Sequence, residues 1–165
     1  ILRRDGTPVL LEQKAGMAMA DLGFTLTGKP DRIDLLPDGS IEVIDYKAGA
    51  IPAKADVESH RKQLHLAAVM ALEGAFAMLG ARTASRLSYQ SLGPDLKSST
   101  SDSDEAAIRQ TLAELRMLIA AYLQRETAFA SRRLPRDAAF AGDFDHLSRF
   151  GEWTLSSPAT PEDVG

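Results

Sequence analysis

Cysteine is missing altogether from these 165 residues. Disulfides, thiolate zinc sites and cysteine-ligated iron–sulfur clusters are therefore excluded within them. No G-x-x-x-x-G-K-[ST] loop is present, so ATP hydrolysis of the Walker type has no phosphate cradle here. No G-x-S-x-G elbow and no cysteine–histidine pairing offers a nucleophile. No apolar run reaches the roughly 18 residues of a membrane helix, and no signal-peptide pattern is visible. A membrane is not expected as a partner, and the cytoplasm is the expected location. Positive charge is also short, with 19 Lys and Arg against 23 Asp and Glu, a net −4. Free-standing nucleic-acid binders usually carry a basic excess. Any path for a polyanion is then local, or is completed by neighbouring domains.

What is present is ordinary globular material, 44% hydrophobic and 25% charged, enough for one domain with a real core. The informative stretch runs over residues 28–49, GKPDRIDLLPDGSIEVIDYKAG. Residues 24–36 carry β-type side chains, and residues 41–47 alternate Ile41, Val43, Asp45, Lys47 against Glu42, Ile44, Tyr46. Pro37-Asp38-Gly39 between them suits a three-residue hairpin loop, with glycine in the left-handed position. That loop sets Leu36 opposite Ser40 and, counting back, Asp31 opposite Asp45. Directly opposed side chains lie about 5 Å apart at Cβ. Lys47 shares the Asp45 face because strand side chains repeat every two residues, whereas Asp34 falls on the other face.

Two carboxylates at that range repel, and a divalent cation removes the conflict. Magnesium is hard, takes oxygen ligands, and is usually held by one or two carboxylates with waters and substrate phosphate. A lysine beside it orients or deprotonates a water, or offsets charge building on a phosphate. The chemistry that uses such a set is metal-assisted hydrolysis of a phosphodiester.

The ordered set Gly28-Lys29-Pro30-Asp31, hairpin, Asp45-Tyr46-Lys47 resembles the PD-(D/E)xK nucleases, and within them the RecB-like group. The text DRID, DG and DYKAG looks most like the C-terminal nuclease domain of AddB-type subunits of helicase-nucleases, which process double-strand breaks. The resemblance implies a restriction-endonuclease-like α/β core: a mixed sheet, antiparallel meander plus a parallel strand, flanked by two long helices. It implies Asp31 and Asp45 as metal ligands, the Tyr46 backbone carbonyl as a further one, and Lys47 as the catalytic lysine. Magnesium is the implied cofactor, with manganese able to substitute. Some AddB-like proteins carry a four-cysteine iron–sulfur cluster, which this chain cannot. RecB-like enzymes add an acidic or histidine ligand from an N-terminal element. Glu12 is the candidate for it, the alternative being a strand-surface glutamate. A Q-x-x-x-Y motif on the following helix matches at Gln63 but has Ala67 in the tyrosine position. The implied partners are DNA, the rest of a longer chain and a helicase-nuclease subunit. The alternative reading is an inactive nuclease-fold module that binds DNA or docks in a repair complex. A weaker one is a nuclease-fold protein acting on RNA or modified DNA.

Along the chain, residues 8–20 read as a strand, making the first three strands an antiparallel meander. Residues 56–79 read as a helix on the spacing of Leu64, Ala67, Ala68, Ala71, Leu72, Ala75 and Met78. Lys54, Arg61 and Lys62 flank Gln63, either as phosphate contacts or as a wet helix face. His60 and His65 are not spaced i, i+4, so they form no helical metal pair. Residues 82–92 predict a strand parallel to residues 41–47 through a right-handed crossover. The serine-rich residues 93–103 read as a mobile loop or insert. Residues 104–129 predict a helix with Ile108, Leu112, Leu115, Leu118, Ile119, Tyr122 and Leu123 as a core stripe, started by Asp104 and Glu105. Arg132, Arg133 and Arg136 form a basic cluster, and FDHLSRFGEW resembles the end of AddB-like chains, with His146 and Trp153 packing there. The nuclease domain is expected over residues 1–155, as a fragment of a longer protein beginning without methionine, with a disordered tail over 156–165.

Overall fold

The computed structural model describes residues 5–53, 57, 61–94 and 97–127. Lys54, His60, the arginine cluster, His146, Trp153 and the tail lie outside the described residues. Seven described strands form two sheets. The larger has the order β1 (Thr7–Leu11), β4 (Arg32–Leu35), β5 (Ile41–Lys47), β6 (Ala84–Ser91), β7 (Ser98–Asp102). The smaller pairs β2 (Ala15–Met19) with β3 (Phe24–Gly28). Helix α1 spans Gln63–Leu72 and α2 spans Glu105–Tyr122.

This is the mixed sheet expected of a restriction-endonuclease-like core. β1, β4 and β5 form its antiparallel limb, and β5 and β6 are parallel. Residues 8–20 and 24–36, each read as one strand, are each two. The first breaks where Glu12 takes a φ of +46°. The second breaks at Lys29-Pro30-Asp31. β1 therefore pairs with β4, and the β2–β3 hairpin is inserted between them. β1 is an edge strand with a register shift between Pro8 and Leu10, a position that tolerates proline's missing N–H.

The turn chemistry holds as read. Leu36 N–H donates to Ser40 O (2.9 Å) and Gly39 N–H to Leu36 O (3.0 Å). Gly39 has φ +83°. Asp38 Oδ1 accepts from Ser40 N–H and Oγ at 2.9 and 2.6 Å, which holds the Asp38 carboxyl below its ordinary range. Such side-chain acceptance closes an Asx turn.

β5 is the central strand and is buried from Ile41 through Asp45, on both faces. A strand covered on both sides reads as nearly continuous hydrophobic sequence, and here Glu42 and Asp45 interrupt it. Helix α1 packs on β5, β6 and the end of β3, burying Leu64, Ala68, Val69, Met70 and Ala71. It is shorter than the predicted 56–79 because Gly74, at φ +72°, ends it.

The serine-rich stretch is a correction. Five of its residues, Ser98–Asp102, form β7, antiparallel to β6. With no apolar side chain it has no strand pattern of its own, and the β6 ladder supplies its order. Helix α2 begins where Asp104 Oδ1 accepts Ala107 N–H at 2.7 Å, an N-cap bond. The chain divides into two compact units, Ile1–Arg116 and Met117–Gly165. In the first, Ile108 and Thr111 of α2 are buried. In the second, Leu118 and Leu123 are more than half exposed, so the predicted stripe is buried at its start and not along its whole length.

Candidate active site

The β4–β5 register is the one the turn predicts: Leu35 faces Ile41, Ile33 faces Val43, and Arg32 faces Ile44. The ladder ends at Arg32, and Asp31 lies in the loop just before it. Tyr46 N–H donates to Asp31 Oδ2 at 2.8 Å, fastening that carboxylate across the strands. Lys47 Nζ lies 2.6 Å from Asp45 Oδ2. Asp45 is only 4% exposed, and its Oδ2 is shut off from solvent with no properly angled hydrogen bond. On the next strand Tyr89 is the register partner of Asp45, and its ring centroid is 5.5 Å from Lys47 Nζ.

Two features seat the Asp31 loop. Gly28 closes β3 where a Cβ would come within 2.8 Å of Met70 Sδ on α1. Only a residue without a side chain lets the strand end lie that close to the helix. Pro30, next to Asp31, is buried.

Glu12 lies beside Asp31 through the backbone, its N–H donating to Asp31 O at 3.0 Å. Its carboxylate receives Lys29 Nζ at 2.7 Å, and that bond lowers its pKa. Gln63 opens α1 and is exposed, with no side-chain hydrogen bond to the acids among the described residues. Asp34 is fully buried on the opposite face, where Arg32 Nε and Nη2 donate to its two oxygens at 2.5 and 2.7 Å. That pairing raises the Arg32 pKa further. Arg32 Nη1 also reaches Tyr46 Oη at 3.4 Å. The chain thus gathers Asp31, Asp45, Tyr46 and Lys47, places Glu12 alongside by its backbone, and leaves Gln63 at the helix start.

A sequence model of the PD-(D/E)XK nuclease superfamily matches residues 2–138. The chain belongs to that superfamily. No curated protein matches it. In this nuclease Pro30-Asp31, just before β4, and Asp45-Tyr46-Lys47, on β5, stand where the superfamily's name asks for P-D and D-x-K. Membership implies hydrolysis of nucleic-acid phosphodiesters.

A divalent cation fits the residues present. The loop before β4 and strand β5 supply two carboxylates, one fastened by Tyr46 N–H and one ion-paired with Lys47 through a shielded oxygen. Among the described residues no group of three or more Asp, Glu, His or Cys gathers to hold a metal. A two-carboxylate set is what magnesium commonly uses, completed by water and phosphate. Sequence reading missed Lys29, Arg32 and Tyr89. Lys29 and Arg32 sit within the motif stretch, and Tyr89 falls in the strand read over residues 82–92, whose register against Asp45 only the fold supplies.

Proposed function

We propose that this nuclease hydrolyses DNA phosphodiesters with magnesium, or manganese in its place. Asp31 and Asp45 would hold the ion together with the Tyr46 carbonyl, and Glu12 would join them on release from Lys29. The carrying observation is that Asp31 accepts Tyr46 N–H while the neighbouring Asp45 pairs with Lys47 through a buried oxygen. A cation entering between the two acids would share Asp45 with Lys47 and offset the repulsion between the carboxylates.

When bound, the ion supplies Lewis-acid polarisation of the phosphate and eases water ionisation. Lys47 Nζ orients the attacking water or meets negative charge developing on the phosphate. Asp45 and the Tyr89 ring hold that amine in place. Asp31, fastened by Tyr46 N–H, keeps its carboxylate turned toward β5. Gln63 contacts a phosphate from the helix start.

The text DRID, DG, DYKAG supports a RecB-like, AddB-type exonuclease domain acting in double-strand break repair. Its partners would be the rest of a longer chain and a helicase-nuclease subunit. The second reading, an inactive module, draws on the net −4 charge and on Ala67 in place of the motif tyrosine. Cleavage of duplex and single-stranded DNA by the wild type and by Asp45→Ala decides between them. Magnesium-dependent cutting lost in a folded variant supports the enzyme; undiminished cutting by the variant refutes the assignment.

A further inference from the structure

Beyond Tyr89 lies a cavity that the hydrolytic residues do not use. It holds about 500 Å³ between the first turn of α1 and strands β6 and β7, within the range of small-molecule sites. Leu64 and Leu87 give it apolar walls. Tyr89 and His65 stand in its wall. Behind that wall the Tyr89 hydroxyl and His65 Nδ1 are shut off from solvent with no hydrogen-bond partner. Buried polar atoms are ordinarily paired, and a small side-chain turn of Tyr89 or His65 would bring either atom into the cavity.

The chemistry of the lining narrows its occupant. Burial holds His65 below its ordinary pKa, which favours the neutral imidazole near pH 7. Ser99, Ser101 and Asp102 of β7 complete the wall, and among the described residues no lysine or arginine lines it. Asp102 instead puts a carboxylate in the wall, which disfavours an anion. A flat, neutral heterocycle with donors and acceptors on its edge finds an aromatic residue, aliphatic walls and the polar residues of β7. The location is telling as well, because Tyr89 is both a wall of the cavity and the aromatic neighbour of Lys47.

We propose that this cavity receives one unpaired nucleobase of the strand being cut, an inference that rests on the nuclease reading above. A base paired within a duplex cannot turn its edge into the sheet without being extruded, at a cost in stacking and pairing. The site therefore favours single strands and frayed ends.

The test is binding of the full chain in EDTA to a short fluorescent single strand and to versions lacking one base at a time. Removal of the base at one position is expected to weaken wild-type binding about tenfold, within what base stacking contributes. Ser101→Trp, which fills the cavity, binds the intact strand about tenfold more weakly and loses nothing more at that position. Tyr89→Phe keeps the ring and loses a smaller factor there. Equal wild-type affinity for the intact strand and every base-lacking strand overturns the subsite. Magnesium-dependent cleavage of the same strands is run alongside. Cutting without any positional effect sinks the subsite alone; a positional effect on binding without cutting upholds the subsite and sinks the hydrolytic reading.

Discussion

Asp31 and Asp45 have different surroundings, and substitutions should separate them. Asp31 accepts Tyr46 N–H, and a hydrogen bond to a charged group contributes about 1.5–3 kcal/mol. Urea unfolding of Asp31→Ala is expected to reveal a loss approaching that size, with Asp31→Asn keeping most of it. Lys47→Met should lower cleavage by roughly 100-fold or more, as loss of a charge-stabilising donor does. Calorimetric magnesium affinity should change little in the same variant; a parallel collapse of both would make Lys47 a structural residue. The acids and the lysine were legible because side-chain direction alternates along a strand whatever packs around it. Tyr89 and Lys29 were not. Each acts through a contact between separate segments, Tyr89 with Lys47 and Lys29 with Glu12, which spacing within one strand does not reveal.

Among the elements, the β4–β5 hairpin sets the site, and Gly39 sets the hairpin. A β-branched side chain at its φ of +83° is strained, so Gly39→Val should cost on the order of 1–2 kcal/mol, read as a lower melting temperature. Behind the site the Asp34–Arg32 pair ties β4 together on the far face. Asp34→Ala strands the guanidinium, and such a break costs about 3–5 kcal/mol when fully buried. Arg32 keeps some exposure, so the expected loss is at the low end, and Arg32→Met with Asp34→Leu should recover much of it. The hairpin register could be read because Pro37-Asp38-Gly39 fixes it locally. β7 could not, since Ser98–Asp102 has no apolar alternation and takes its conformation from β6. The strand breaks at residues 12–14 and 29–31 were also hidden, because β-type residues run up to both sides of them. The crossover to a parallel β6 was legible from a helix lying between two β patterns.

The whole molecule joins a nuclease fold to a surface of net −4 charge, and no helix among the described residues is long and apolar enough to cross a membrane. Its acid response should carry a signature of His65, whose pKa burial and the Lys62 charge hold below 6.5. Between that lowered value and 6.5 the unfolded chain binds more protons than the folded one. Stability therefore rises with pH through this window and levels off above it. Melting temperatures at pH 5 and 7.5 should differ more for the wild type than for His65→Gln; equal differences would remove His65 from the account. Magnesium should also stabilise the fold, by about 2.7 kcal/mol at a hundred times its dissociation constant, and this gain should vanish in Asp45→Ala. The most direct measurement is anomalous diffraction from crystals soaked in manganese. A peak between Asp31 and Asp45, beside Lys47, is the predicted result. Manganese bound elsewhere, or no peak between those carboxylates, would contradict the account.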